Sequence, residues 1–168
     1  MPLSMHQAVV PAITQTLTAL SAILDKAEAD AAARKIEPAV LLNFRLAPDM
    51  FALTRQVQLT SDFAKNAMAR LAGVEPPKYE DTETTIAELK ARIAKTLAYV
   101  QSFKPAAIDG SEERTITFPV GGQPRTFKGQ DYLVTFALPN FYFHATTAYD
   151  ILRHCGVNIG KRDFLGVR

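Results

Sequence analysis

Between residues 9 and 27 the apolar side chains Val9, Val10, Ile13, Leu17, Leu20, Ile23, Leu24 and Ala27 recur at helical spacing. Such a stripe fits one side of an α-helix and commits about Met5 to Ala33 to a long helix, with a start or kink near Pro11. A helix with one apolar side needs others to bury it. A second segment runs from about Pro48 to Leu71, with Gly73 as its stop signal. The connector "EPPKYEDTE" is Pro-rich and polar. A third helix opens with Thr85-x-x-Glu88, a capping-box pattern, and continues through Ile86, Leu89, Ile93, Leu97 and Val100 until Pro105. "TITFPVGGQPRTF" alternates apolar and polar residues around Gly121-Gly122, which predicts a short, edge-like β-hairpin. The last helix spans about Gly129 to Cys155, with a kink at Pro139 and an end at Gly156. The pattern predicts an all-α, up-and-down four-helix bundle, with a β-hairpin between the third and fourth helices, as one domain over 1–168.

Composition narrows the classes of function. Hydrophobic residues are 48% and charged residues 21%, the proportions of a folded chain with a sizeable core. The net charge of +2 comes from 19 basic and 17 acidic residues, so no basic footprint for nucleic acid is expected. Cys155 is the single cysteine, which rules out an intrachain disulfide and fits a reducing, cytoplasmic setting. The N-terminus lacks the pattern of a signal peptide, and no long uninterrupted apolar run predicts a membrane span.

The stretch "NFYFHATTAYDILRHCG" holds two of three histidines. On a helical wheel His144 shares a face with Leu133, Ala137, Asn140, Ala148, Ile151 and Cys155, while Tyr142, Thr146, Tyr149, Asp150 and Arg153 lie opposite. His154 is ten residues on, about 15 Å along the axis, so the two histidines cannot chelate one ion. The inward arc of the second helix carries Asp49, Gln56 and Thr60 among Ala52, Leu53, Phe63, Ala67 and Leu71. Buried polar groups need partners, so Asp49, Gln56, Asn140 and His144 are expected to meet between the second and fourth helices. They form either a satisfied core network, with Asp49 capping its helix, or a pocket. His6 reads as a surface or packing residue. Cys155 lies at the dipole end that disfavours a thiolate. The tail predicts two features: Lys161, Arg162 and Arg168 as solvated charges, and Phe164 and Leu165 folded back near an end of the second or third helix.

"PDMFALTRQVQLTSDFAKNAMARLAGVEPPKYEDTETTIAELKARI" and "NFYFHATTAYDILRHCGVNIGKRDFLG" resemble a bacterial and fungal domain-of-unknown-function family of the DinB-like (damage-inducible) superfamily. The resemblance implies a four-helix bundle with a long crossover, often dimeric. The superfamily includes metal-dependent thiol S-transferases and a thiol-dependent isomerase, whose typical site is one histidine from the second helix and an HxxxH pair from the last. Here His144 matches the first of the pair and Ala148 replaces the second. Gln56 or Asp49 stands nearest the remaining position. Two readings of function follow. One is a small-molecule-binding or regulatory bundle with a degenerate metal site and no cofactor, lined by Asp49, Gln56, Asn140 and His144. The other is a divergent thiol- or metal-dependent transferase, with a divalent metal on His144 and Asp49 as orienter or second ligand. A homodimer is expected from the family and from the rings of Tyr142, Phe143 and Tyr149.

Overall fold

A computed structural model describes residues 3–167. Helix α1 (Met5–Arg34) starts at Ser4, whose hydroxyl accepts from the Gln7 amide while the Gln7 side chain accepts from Ser4 N–H. Pro11 lies inside it on the exposed side, and the helix runs through. A short α2 (Pro38–Leu42) precedes an irregular turn, and α3 spans Leu53–Ala72. The second helix therefore begins five residues after Pro48, where the sequence placed its start. Ala52 is its extended N-cap, and Leu53 N–H donates to the Phe44 carbonyl at 2.9 Å. That bond ties the turn back onto α2 and fixes where the helix can start. Helix α4 (Ile86–Ser102) carries the predicted Thr85–Glu88 capping box, and α5 (Pro105–Ile108) is one turn long.

Strands β1 (Thr115–Val120) and β2 (Gln123–Lys128) form a two-stranded antiparallel hairpin, with Phe118 opposite Arg125 and Ile116 opposite Phe127. The chain re-enters helix at α6 (Gly129–Asp131), widens into a π-helical segment over Tyr132–Ala137, and continues as α7 (Leu138–His154). The expected kink at Pro139 takes the form of this π segment just before it. Proline lacks an N–H and its ring crowds the carbonyl four residues back, so the preceding turns loosen.

The four long helices pack in the ring order α1–α4–α3–α7, so α1 and α3 lie across the bundle from each other. The stretch 35–52 makes that diagonal passage, and the stretch 103–128, which carries the hairpin, makes the other, from α4 to α7. One hydrophobic core runs through the ring, including Val9, Ile13, Leu17, Leu24, Leu53, Met68, Ile93, Phe141 and Ile151. Helix α1 has the length and apolarity to cross a membrane, but its stripe is packed inside this ring.

Helix α8 (Lys161–Leu165) follows Gly156, and its Asp163 caps it by accepting from Gly160 N–H at 2.8 Å. The tail does fold back, but onto a different place from the one expected, and it leaves Phe164 half-buried and Leu165 exposed where both were expected to be covered. It lies along α1, with Lys26 bonded to Asp163 at 2.6 Å and Gln15 to the Leu165 carbonyl, and Phe164 meets Tyr149 of α7 edge-on at 5.8 Å. The turn at Gly156 and the buried Val157 and Ile159 aim the chain toward α1, away from α3 and α4. Lys161 and Arg162 begin this helix; Arg168 lies outside the described residues.

Candidate functional site

Of the four polar residues placed between the second and fourth helices, the structure brings two together. The apolar stripes of α3 and α7 bury against each other and carry Gln56 and His144 inward with them. Gln56 is 1% and His144 8% exposed, and His144 Nδ1 lies 2.7 Å from Gln56 Oε1. The Gln56 amide nitrogen donates to the Phe51 carbonyl at 3.2 Å. A carbonyl can only accept, so the NH2 of Gln56 must face Phe51 and its oxygen must face the imidazole. Nδ1 therefore carries the proton, and Nε2 keeps a free lone pair. Nε2 has no partner among the described residues. It is also absent from the sealed orphan atoms, which are Thr14 Oγ1, Ser61 Oγ, Arg92 Nε and Ser111 Oγ, so it retains contact with solvent.

Aromatic rings frame the imidazole. Phe63 stacks on it at 5.4 Å and 17°, and Phe143 stands edge-on at 5.2 Å. Burial, aided by the positive charge of Arg55, pushes the pKa of His144 down to about 4. The ring is neutral near pH 7 and presents a hydrogen-bond acceptor beside the exposed Phe143.

Asp49 and Asn140 do not join this pair. Asp49 lies exposed in the turn before α3, outside the helix that was expected to begin at Pro48, and Ala52 takes the cap position. Asn140 is half-buried and returns its amide to the Phe136 carbonyl of its own helix at 2.7 Å. None of the four clefts described is lined by Asp49, Gln56, Asn140 or His144. Phe51 and Arg55 were missed in the sequence because one sits in an irregular turn and the other beside Gln56 on a different side of α3. Phe63, seven residues after Gln56 on the same arc, was the usable signal.

The donors at this site do not suit a metal centre. Nδ1 is committed to Gln56, both polar ends of Gln56 are committed in turn, and Phe63 covers the ring face. Ala148, one turn on, is fully buried and carries no donor. Among the described residues no group of three or more His, Cys, Asp or Glu side chains converges. A single imidazole nitrogen does not fit a tightly held divalent ion. Elsewhere, His6 Nε2 packs against the Phe103 carbonyl at 3.2 Å, and burial pushes the half-buried Cys155 thiol up.

Comparison with known proteins gives a family. The sequence model of a domain of unknown function (DUF1993) matches residues 5–165. The crystal structure of a DinB family member protein from Shewanella denitrificans is 44% identical, covers 97% of this chain and 92% of that chain, and superposes with a TM-score of 0.88. No curated protein matches the chain.

Proposed function

The chain belongs to the DUF1993 family and is DinB-like, and from that premise we propose that it is a small-molecule-binding or regulatory bundle built on a degenerate metal site. The observation that carries this reading is the relay from the Phe51 carbonyl through Gln56 to His144, which leaves Nε2 as an acceptor at an aromatic rim. A ligand suited to it has an N–H, O–H or S–H donor for Nε2 and an apolar body for Phe143. The transferase reading is weaker here, since a general base works best with a pKa near the working pH and His144 is held at about 4.

Two measurements on protein purified without an affinity tag test the proposal. Long-range proton–nitrogen NMR should report a neutral, Nδ1-protonated His144 at pH 7, and metal analysis should find no stoichiometric ion. Stoichiometric zinc, nickel or iron, or an Nε2-protonated ring, would overturn it. We also propose a homodimer, supported by the exposure of Tyr142 and Phe143 on the outer side of α7.

A further inference from the structure

The end of α3 and the hairpin enclose a second cleft, of about 660 Å³, lined by none of the residues around His144. Its floor holds Arg70, half-buried, with its guanidinium 3.7 Å from the centre of the Phe118 ring and one nitrogen donating to the Tyr132 hydroxyl at 3.2 Å. Arg114 lines the same cleft. Its guanidinium lies over Gly73, where a Cβ would stand 2.3 Å from it, so the positive-φ glycine that ends α3 also makes room for the arginine. Neither guanidinium has a carboxylate within ion-pair distance among the described residues, and Glu75, the acid on the rim, pairs with neither. By contrast, the more deeply buried Arg92 is met by Asp62, Asp81 and Glu83.

Five successive residues of β1, Thr115 to Pro119, line this cleft. Side chains alternate across a strand, so a cleft touching all five runs along its edge. The other edge of β1 pairs with β2, and among the described residues no strand pairs with this one. An unpaired strand edge offers backbone N–H donors. Arg70 is already ordered by stacking and by Tyr132, so little freedom is lost when it engages a planar acceptor.

We propose that this cleft binds a small oxyanion, a carboxylate or phosphate group, gripped by Arg70 and Arg114 along this edge of β1. The test is a titration of the full chain with inorganic phosphate, acetate and chloride at constant ionic strength, followed by amide NMR. Saturable shifts are expected at Gly73 and Thr115–Phe118 with phosphate or acetate and not with chloride. Tighter phosphate binding assigns a phosphate ligand; tighter acetate binding assigns a carboxylate. Arg70→Gln and Arg114→Gln should each weaken binding about tenfold or more, and Arg125→Gln, outside the cleft, should leave it unchanged. Arg114 is exposed, so Arg114→Gln carries the test if Arg70→Gln fails to fold. No saturable response to either oxyanion, undiminished binding in Arg114→Gln, or equal loss in Arg125→Gln would overturn the proposal.

Discussion

His144 is buried with one nitrogen satisfied and the other reserved, which makes it measurable in two ways. His144→Ala removes packing against Phe63 and strands the Gln56 oxygen, and should cost about 2–4 kcal/mol in denaturant melts at pH 7. A change within about 0.5 kcal/mol, the range typical of surface sites, would place the ring outside the core. Its pKa is depressed from 6.5 to about 4, so the unfolded chain binds this proton more readily than the folded one. The fold should therefore lose stability as pH falls from about 6.5 toward 4, by at most about 3 kcal/mol from this group and less after solvent screening. His144→Gln should flatten that part of the pH profile; an equally steep profile in the variant would assign the loss to other groups. Arg92 makes a sharper residue-scale case. Its side chain is 2% exposed and gathers Asp62, Asp81 and Glu83, holding the 74–85 connector on α3 and α4. Arg92→Met leaves Glu83 without its cation and Asp62 and Asp81 with only Lys65 and Arg55, and should cost about 2–3 kcal/mol, with faster proteolysis in the connector. Unchanged cleavage there would remove the latch role.

At the scale of elements, the long helices and hairpin were legible because period and punctuation agreed. Thr85–Glu88, Gly73, Gly121-Gly122 and Gly156 mark ends by local chemistry, and the chain obeys them. The start of α3 and the π turn were not legible. Both depend on partners far in sequence or on the way a proline is accommodated once its neighbours are packed. The junction of hairpin and α6 depends on such a partner too. Gly129 is buried, and a Cβ there would stand 1.9 Å from the Ser111 carbonyl oxygen. Backbone cannot yield as a side-chain tip can, so Gly129→Ala should cost about 3 kcal/mol or more and loosen the hairpin. A melting temperature equal to that of the parent would refute the close approach.

For the whole molecule, the tail and the outer face of α7 set the testable properties. Cutting after Val157 removes the buried Ile159, the Phe164–Tyr149 contact and the Lys26–Asp163 bridge. The melting temperature should drop by roughly 5–10 °C, and an unchanged melt would mean that α8 contributes nothing to the fold. Tyr149 is half-covered by that tail, so the proposed dimer face narrows to Tyr142 and Phe143, at 37% and 56% exposure. Light scattering at micromolar concentration should give about twice 18.5 kDa, and a mass of one chain counts directly against the dimer.

The sequence by itself determined the number of long helices, most of their ends, the hairpin and the inward side of His144, because each follows from spacing within one element. It could not assign partners. Gln56 and Asn140 sat on equally inward arcs, yet Gln56 reaches across to His144 and Asn140 turns back on Phe136. Asp49 left the site altogether once the turn at Phe44 moved the start of α3. Tertiary structure also chose the ring order and the groove for the tail. These are choices among several apolar faces of similar character, and only simultaneous packing of all four helices separates them.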